Sequence, residues 1–434
     1  MWLSKPLSKV VKKGLLTLDD YGYPLRPDAR GDLRKKGIHA SKMLLSKGIY
    51  LCMCVVGAAL WLGRGGKKYA PLSPRTVQPR RILVIRLDLI GDLVLSMTVV
   101  RALKRTYAGA QIDLLALPSS AQIVRDDPDV CNLITYDPNV WRRPKALFQT
   151  RNWRDAVSLA CRLRACRYDI AVSVFGNWAA MVAVLSGAPR CVGFGREGYP
   201  GFMTDSVAGR HWQDGDRLHE VDYCLKLAQA AGVAVTPSDR IPRLFVASGA
   251  RLELEALLSE AGIQQDTPLI VCHVSSNNGQ SKRWPVPHWA TLLDRLIDAR
   301  VQVVLTGAPG DLPLIESVTS RMKQKAYNFA GKTSLAQLVA LLQRADLLIT
   351  GDSGPMHIAA AVGKPLIAIH GPTDPAQSGP VSPLATVLKS DIWCSPCYNA
   401  KGPADCRFFT TQCMKNILPA QVFEVVLEKL PRKE

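Results

Sequence analysis

Short apolar runs of strand length alternate with helical patterns twice along this 434-residue chain, and this alternation limits the fold more than any other feature. One series begins at Arg81 and the other near residue 246. Strands that alternate with helices form a parallel sheet with helices on both faces. The sequence therefore predicts an α/β protein with two doubly wound, Rossmann-like domains. Because such folds bind ligands at the carboxyl ends of their strands, we expect the domains to face a central cleft.

The predicted strands are short runs rich in aliphatic and β-branched residues. In the first series they are 82–86, 112–117, 169–174 and 190–194. In the second they are 269–274, 301–306, 347–350 and a final strand at 365–370. Helical patterns occupy 141–167, 251–262, 289–299 and 335–344, and another helix is expected from 357. The chain length suits two domains plus an appendage, which we place at 81–245 and 246–393.

Residues 1–80 form a basic extension ahead of the first domain. They hold 16 Lys and Arg against 4 Asp and Glu, so +12 of the net charge of +19 lies there. Such a segment binds an anionic membrane surface or nucleic acid. An uncharged apolar run at 48–62, flanked by lysines and arginines, favours the membrane. We therefore predict a membrane surface as a partner, and no nucleic acid.

The apolar run at 48–62 leaves three structures open. It is shorter than the roughly 20 residues of a spanning helix. An interfacial or partly inserted anchor is favoured, and a short true span or a buried helix that covers the main domain are the alternatives. A signal peptide fits poorly, because the run starts late and no small-residue cleavage site follows it.

The sharpest chemical signal is the sequence DSGPMH, which follows the strand at 347–350 and precedes a helix. Its candidate site residues are Asp352, Ser353, Gly354, Met356 and His357. Ser353 can cap the helix, and Gly354 lets the backbone approach a ligand. Backbone N–H groups at a helix start form a cradle for a diphosphate. Asp352 would accept hydrogen bonds from sugar hydroxyls, with His357 facing the same cleft. The alternative is an ordinary N-cap followed by a core histidine.

Two more candidates lie at strand-to-helix turns. Lys282, or its neighbour Arg283, could neutralise the charge that develops on a departing diphosphate without a metal, although a loop lysine is often merely solvated. Asp92 could take the proton from an attacking hydroxyl, as inverting sugar transfer requires. Asp88 competes for that role, and Asp92 could instead cap the helix that follows.

Three enzyme classes are disfavoured by the motifs of the sequence. The segment GFGREG at 193–198 fits GxGxxG, but it begins inside the predicted strand 190–194, and Tyr199 and Pro200 follow it in place of a helix start. It therefore lacks the strand-then-helix setting that hydride transfer would need. The sequence has neither the GxxxxGK[ST] of P-loop phosphoryl transfer nor the GxSxG of an esterase.

Four of the twelve cysteines are closely spaced in the segment 394–434, ahead of a predicted carboxyl-terminal helix. The pattern Cys394-x2-Cys397-x8-Cys406-x6-Cys413 is typical of a four-thiolate metal site, and zinc or iron would suit it in a structural role. Free or redox-active thiols and disulfides are the alternatives. Other cysteines are scattered through core-like segments, which is typical of a reducing cytoplasm.

Three segments resemble glycosyltransferase family 9, the ADP-heptose:lipopolysaccharide heptosyltransferases. They are 86–92 with the helix after it, SKRWP at 281–285, and DSGPMH at 352–357 running on to HGPTDP at 370–375. The similarity covers roughly residues 81–425, and the basic extension has no counterpart. The resemblance implies the GT-B architecture and an inverting transfer that uses neither a metal nor another cofactor.

The resemblance also assigns roles to individual residues. Asp92 matches the family's catalytic base, Lys282 its donor-phosphate lysine, and residues 352–357 its donor loop. Asn277 and Asn278 stand where family members place hydroxyls that contact donor phosphates. Asp311 matches a carboxylate that contacts the nucleoside.

The function implied is transfer of heptose from ADP-heptose to a lipopolysaccharide core acceptor of Kdo or heptose on lipid A. The enzyme would work at the cytoplasmic face of the inner membrane of a Gram-negative-type bacterium. The basic stretch at 141–154 could meet this acidic, lipid-linked glycan or be a solvated face. Alternatives are a family member that uses another nucleotide sugar or a protein acceptor, and a non-catalytic nucleotide-sugar-binding protein at the membrane.

Overall fold

The structure is a computed structural model. It describes residues 54–59, 62, 71–73, 78–195, 199–209, 218–276, 279–398, 406 and 408–430. Most of the basic extension lies outside these residues, as do Asn277 and Asn278. The chain forms two compact units that divide between Pro242 and Arg243.

The amino-terminal unit is built on a six-stranded parallel sheet in the order β3-β2-β1-β4-β5-β6. The strands are β1 (Arg81–Arg86), β2 (Gln111–Ala116), β3 (Asn132–Thr135), β4 (Ile170–Ser173), β5 (Arg190–Phe194) and β6 (Asp205–Val207). The helices are α1 (Ile90–Thr106), α2 (Pro118–Ala121), α3 (Thr150–Ala165), α4 (Gly176–Leu185) and α5 (Glu220–Ala230). Because the strand order reverses between β1 and β4, the sheet has a topological switch point there.

The carboxyl-terminal unit repeats this plan in the order β12-β11-β10-β7-β8-β9, again parallel throughout. The strands are β7 (Leu269–His273), β8 (Gln302–Thr306), β9 (Tyr327–Asn328), β10 (Leu347–Gly351), β11 (Leu366–His370) and β12 (Ala385–Lys389). The helices are α6 (Ser248–Glu260), α7 (Val286–Asp298), α8 (Leu312–Thr319), α9 (Leu335–Arg344), α10 (Gly354–Ala361), α11 (Pro375–Ser378), α12 (Gln412–Lys415) and α13 (Pro419–Lys429). Its switch point lies between β7 and β10.

The central strands of both sheets are buried by helices that pack on them. In the first unit, Leu83 and Ile85 of β1 pack with Leu159 and Leu163, the two buried residues of the amphipathic α3. In the second unit, Trp289 of α7 is among the largest fully buried side chains. Burial of such apolar surface is the main force that holds each sheet to its helices.

The predicted fold class is confirmed, since both units are parallel α/β sheets of the doubly wound type. All eight predicted strands are present, each within one residue of its predicted ends. The prediction that 365–370 is the final strand was wrong, because β12 follows it and pairs with β11. The helix expected from residue 357 begins earlier, at Gly354.

Residues 54–59 of the apolar run are helical and contact the amino-terminal unit. Gly57 is buried there, and a side chain at this position would overlap the backbone carbonyl of Pro200. Val55 and Val56 are exposed. The described part of this helix therefore touches the unit at Gly57 and exposes most of its other residues. Within the described part of the chain, no helix has both the length and the apolar character needed to cross a membrane.

Candidate active site

The predicted site residues lie at the switch points of the two sheets. Asp92 follows β1, the strand beside β4 in the amino-terminal unit. Lys282 follows β7 and Asp352 follows β10, which are neighbours at the switch point of the carboxyl-terminal unit. The region outside the carboxyl ends of the strands at such a point is where open α/β sheets bind ligands.

Lys282 and Asp352 form a mostly buried ion pair in the carboxyl-terminal unit. Nζ of Lys282 donates to Oδ2 of Asp352 at 2.8 Å. Lys282 ends a 3₁₀ turn over Gln280–Lys282, whose backbone lies against β10. At Gly351 an added Cβ would be 3.1 Å from the carbonyl oxygen of Lys282, so the lack of a side chain there permits the close approach. Sequence reasoning found both charged residues, and the structure brings them together.

The charges around Asp352 keep it ionised. Burial alone would raise the pKa of its carboxyl group, but Lys282 and the nearby His370 and His357 outweigh burial and lower that pKa below its ordinary value. Burial lowers the pKa of His370, which favours its neutral form. His370 lies at the end of β11, where Nδ1 is 3.1 Å from the hydroxyl of Thr373 and Nε2 has no hydrogen-bond partner among the described residues.

The start of α10 differs in one detail from the prediction. Ser353 does precede the helix, but its hydroxyl lies 2.8 Å from that of Thr350 and makes no capping bond to a helix amide. The predicted side-chain cap is therefore wrong, because Thr350 at the end of β10 competes for the hydroxyl. Met356 and His357 are both buried in the first turns of α10.

The remaining donor-site predictions fall after β7, at Asn277 and Asn278, and after β8, at Asp311. Asn277 and Asn278 lie outside the described residues. Asp311 is buried, and its carboxylate accepts from the hydroxyl of Ser275 at 2.5 Å and from the amide of Ala308 at 2.8 Å. These bonds fix Asp311 beside the loop that follows β7. The contact of Asp311 with a nucleoside stays a prediction.

Asp92 belongs to a cluster of acids around one buried arginine in the amino-terminal unit. Arg86, the last residue of β1, is 2% exposed. Its Nη1 donates to Oε1 of Glu220 at 2.9 Å, and its Nη2 lies 3.2 Å from Oδ1 of Asp92. Oδ2 of Asp88 is 3.5 Å from the same Nη2. The guanidinium also lies 5.1 Å from the centre of the Phe175 ring.

This cluster keeps Arg86 charged and leaves Asp92 reachable. Burial would lower the pKa of Arg86, but Glu220, Asp92 and Asp88 together raise it above its ordinary value. Asp92, in the first turn of α1, is about one-third exposed, whereas Glu220 is buried. Of these acids, Asp92 is the one that combines contact with Arg86 and the most solvent exposure.

Sequence reasoning missed four side chains of these two sites. Arg86 and His370 end apolar strands, and a polar residue at that position is a signal that could have found them. Glu220 and Tyr398 lie far along the chain from their partners Arg86 and Lys282, and no local pattern marks them.

The four spaced cysteines lie in one neighbourhood, next to the turn that follows β11. Burial and the nearby Cys397, Cys406 and Cys394 raise the pKa of the Cys413 thiol to about 11. Among the residues that the structure describes, no group of three or more His, Cys, Asp or Glu side chains is arranged to hold a metal ion. Among the described residues, none of the four cysteines takes part in a disulfide. The structural zinc or iron therefore stays a prediction.

The Cys394–Tyr398 segment contacts the donor-side pair. The amides of Cys397 and Tyr398 donate to the carbonyl of Pro372 at 2.9 and 2.7 Å. The hydroxyl of Ser395 donates to the carbonyl of Gly371 at 2.6 Å. These bonds place the ring of Tyr398 with its centre 4.2 Å from Nζ of Lys282.

Comparisons with known proteins point to one family. Residues 156–407 match the family model described as glycosyltransferase family 9 (heptosyltransferase). The lipopolysaccharide heptosyltransferases 2 of Salmonella typhimurium and Escherichia coli are each 29% identical to this chain, over 71% of its length and 88% of theirs.

Solved structures show the same fold. The E. coli ADP-heptose lipopolysaccharide heptosyltransferase II is 27% identical, with a TM-score of 0.63 over 80% of this chain and 98% of that one. A family 9 glycosyl transferase from Veillonella parvula aligns with a TM-score of 0.69 at 23% identity, over 83% of this chain and 98% of that one.

Proposed function

The chain belongs to glycosyltransferase family 9, and from that premise we propose that it transfers a heptose from ADP-heptose to the core of lipopolysaccharide. The acceptor would be Kdo or heptose on lipid A. Relatives at 29% identity carry the name lipopolysaccharide heptosyltransferase 2, which supports this choice of sugar and acceptor.

The observation that carries the proposal is the Lys282–Asp352 pair at the switch point of the carboxyl-terminal sheet. Negative charge grows on the diphosphate of a nucleotide sugar as its glycosidic bond breaks. A buried lysine ammonium beside that diphosphate stabilises the charge without a metal ion. Asp352, held ionised by Lys282, would accept hydrogen bonds from hydroxyls of the heptose. We accordingly propose that this unit binds the donor and that the transfer is independent of metal.

The proton of the acceptor hydroxyl goes to Asp92 in this mechanism. The acceptor oxygen forms its bond to the anomeric carbon of the heptose while the bond from that carbon to the phosphate oxygen breaks. ADP leaves with the electron pair of the broken bond, and Asp92 holds the proton. A single displacement of this kind inverts the anomeric configuration. Arg86 supports the reaction by fixing the Asp92 carboxylate at 3.2 Å.

We further propose that the enzyme works at the cytoplasmic face of the inner membrane of a Gram-negative-type bacterium. The acceptor is lipid-linked, so the enzyme must reach a bilayer surface. The basic extension at 1–80, with the apolar run at 48–62, supplies charge and apolar surface for this attachment.

The test is a transfer assay with the purified full-length chain, ADP-heptose and a panel of truncated lipopolysaccharide acceptors. We expect heptosylated product with the anomeric configuration opposite to that of the donor, at an unchanged rate when a chelator is present. Parallel reactions contain other nucleotide sugars and a protein acceptor. Activity confined to either of those would replace the proposed substrates. Failure to transfer or hydrolyse any donor, together with retained ADP binding, would favour the non-catalytic alternative.

A further inference from the structure

The amino-terminal unit exposes a surface of apolar side chains at residues 140–157. Phe148 is 88% exposed, Leu147 53% and Trp153 52%, and Val140 and Val157 are exposed beside them in sequence. These residues occupy two 3₁₀ turns, Pro138–Arg142 and Pro144–Phe148, and the first half of α3. A clustered apolar surface on a soluble domain marks a place where something binds.

Basic side chains lie among these apolar ones. Residues 140–157 contain five of them against a single acid, Asp155, so this surface has a net charge of +4. The basic residues are all exposed: Arg142, Arg143, Lys145, Arg151 and Arg154. Of these, Arg151 lies 3.9 Å from Asp155, a distance at which an exposed pair contributes little. The arginines and the lysine thus remain available to an anionic partner.

Internal contacts hold the 140–157 surface in a defined shape. The rings of Trp141 and Trp153 meet edge to face with their centres 4.9 Å apart. The indole N–H of Trp153 donates to the carbonyl of Leu147 at 2.9 Å, and that of Trp141 donates to the hydroxyl of Tyr136 at 2.7 Å. These contacts therefore hold the segment that carries the exposed Phe148 and Leu147 in one conformation.

We propose that the 140–157 surface docks on an anionic phospholipid bilayer. Tryptophan, phenylalanine and leucine insert at the level of the lipid headgroups, while arginine and lysine contact the lipid phosphates. A nucleic acid or a free acidic glycan would use the basic side chains and can stack on the Phe148 ring, but neither supplies an apolar phase for Leu147 and Val157. This docking is additional to any attachment by the basic extension and does not depend on the reaction catalysed.

The test uses the full-length chain and vesicles of phosphatidylcholine with or without phosphatidylglycerol. Phe148→Ser and Leu147→Ser should each weaken partitioning to the anionic vesicles, the phenylalanine variant by about tenfold. The matched control is Leu252→Ser in α6, because Leu252 is 73% exposed but lies in the other unit. The extension at 1–80 is the same in every variant, so differences between them report on residues 147 and 148.

Hydrogen exchange with and without vesicles locates the contact, and peptides from 140–157 should gain protection only with phosphatidylglycerol present. Equal partitioning of Phe148→Ser and Leu252→Ser would overturn the proposal, as would unprotected 140–157 peptides. Protection of these peptides by duplex DNA but not by vesicles would assign the surface to nucleic acid and overturn the proposal equally.

A separate observation concerns Lys282, and this second inference rests on the proposed function. The centre of the Tyr398 ring lies 4.2 Å from Nζ of Lys282, and the carboxylate of Asp352 accepts from the same Nζ at 2.8 Å. Lysine has a flexible four-carbon stem, so a single carboxylate fixes its ammonium poorly. An aromatic face attracts the ammonium. Unlike a carboxylate, it does not engage the N–H groups of the ammonium in hydrogen bonds.

We infer that Tyr398 is a positioning residue, which holds the Lys282 ammonium where the donor diphosphate binds. The bonds from the Cys394–Tyr398 segment to Gly371 and Pro372 fix the ring in place. The cysteine-rich segment thereby contributes to the donor site through Tyr398.

Calorimetric titration with ADP tests this inference on the full-length chain. Tyr398→Leu should weaken ADP binding roughly threefold to thirtyfold, whereas Tyr398→Phe keeps the aromatic face and should stay within about twofold of the unaltered chain. Adding Tyr398→Leu to Lys282→Met should cause no further loss. Equal ADP affinity in Tyr398→Leu and the unaltered chain would overturn the positioning role and leave the proposed function standing. An unaltered chain that does not bind ADP would instead refute the proposed function.

Discussion

The amino-terminal unit surrounds Arg86 with Asp88, Asp92 and Glu220, whereas in the carboxyl-terminal unit Lys282 has one ion-pair partner among the described residues, Asp352. Counting each arginine or lysine as +1 and each carboxylate as −1, the Arg86 cluster has a charge of −2 and the Lys282 pair has none. An anionic diphosphate is repelled by the first and tolerated by the second. The same position in two similar sheets thus suits a proton acceptor in one unit and a donor phosphate in the other.

Asp92→Asn tests the acid-rich site and should have the largest effect. Transfer should fall by about a thousandfold, because an amide cannot take the acceptor's proton, while ADP binding to the other unit stays within about twofold. Transfer kinetics and ADP calorimetry measure the two quantities. Asp88→Asn is the matched control, since it makes the same change beside the same arginine. Equal losses of transfer in the two variants would remove the special role of Asp92.

Lys282→Met tests the site in which Lys282 pairs with Asp352. Loss of a charge-assisted contact to the diphosphate should weaken ADP binding about thirtyfold and reduce transfer by about a hundredfold. The variant also leaves the Asp352 carboxylate without its ion-pair partner, so its free energy of unfolding should fall by about 3 kcal/mol. Calorimetry with ADP and urea unfolding measure these effects.

Two further variants separate binding from stability at this site. Lys282→Met combined with Asp352→Asn should regain stability, because no unpaired charge remains, but should not regain ADP affinity. Lys332→Met changes an exposed lysine of the same unit and should alter neither quantity. ADP affinity that survives Lys282→Met would remove Lys282 from the donor site.

Glu220→Gln tests whether Asp92 and Asp88 can compensate for the loss of one acid beside Arg86, whereas Lys282 and Asp352 form a single pair. Arg86 loses its shortest ion pair but keeps Asp92 and Asp88, so we expect destabilisation by about 2 kcal/mol, less than at Lys282. Asp222→Asn, in the same first turn of α5, breaks a more exposed pair with Arg240 and should cost under about 1 kcal/mol. Urea unfolding of both variants gives the comparison. If Glu220→Gln destabilised the chain more than Lys282→Met, the other two acids would not be compensating for Glu220.

Periodicity in the sequence predicted the interior of both sheets and missed their edges. The eight predicted strands are the four interior strands of each sheet, whereas β3, β6, β9 and β12 are the edges. Interior parallel strands are covered on both faces and read as continuous apolar runs. All four edge strands are partly exposed, and β3, β6 and β9 are also short, so they lack the continuous buried apolar run of the interior strands.

The site was predictable to the extent that it follows strand ends in the sequence. Asp92 and Asp352 lie shortly after apolar runs, and Lys282 lies in the polar loop that follows another, so their positions could be inferred from those runs. The contact between Arg86 and Glu220 could not be predicted from the sequence. Glu220 lies 134 residues away and meets Arg86 only through the packing of α5 on the sheet. The contact between Lys282 and Tyr398 is likewise created by the tertiary structure alone.

Mild acid should destabilise the carboxyl-terminal unit more than the amino-terminal unit. This is the smallest of the effects that we expect. Burial lowers the pKa of His370, so the unfolded chain takes up a proton near pH 6.5 while the folded His370 stays neutral. Above about pH 6.5 both states hold His370 neutral, and the free energy of unfolding is unaffected. As the pH falls from there toward the lowered pKa, the free energy of unfolding decreases by up to about 1.4 kcal/mol per pH unit. His273 and His288 of the same unit shift in the same direction.

In the described part of the amino-terminal unit, the groups with shifted pKa values titrate outside the range from pH 7 to pH 5. Arg86, Tyr168 and Cys224 are raised, and Asp239 is lowered below its ordinary acidic value. Urea unfolding at pH 7 and pH 5.5, with proteolysis to identify the unit that opens first, should show the carboxyl-terminal unit weakening first. His370→Gln cannot take up the proton and should flatten this dependence. If the variant's pH dependence matched that of the unaltered chain, His370 would not be held neutral by burial, and the contrast between the two sites would rest on the carboxylates alone.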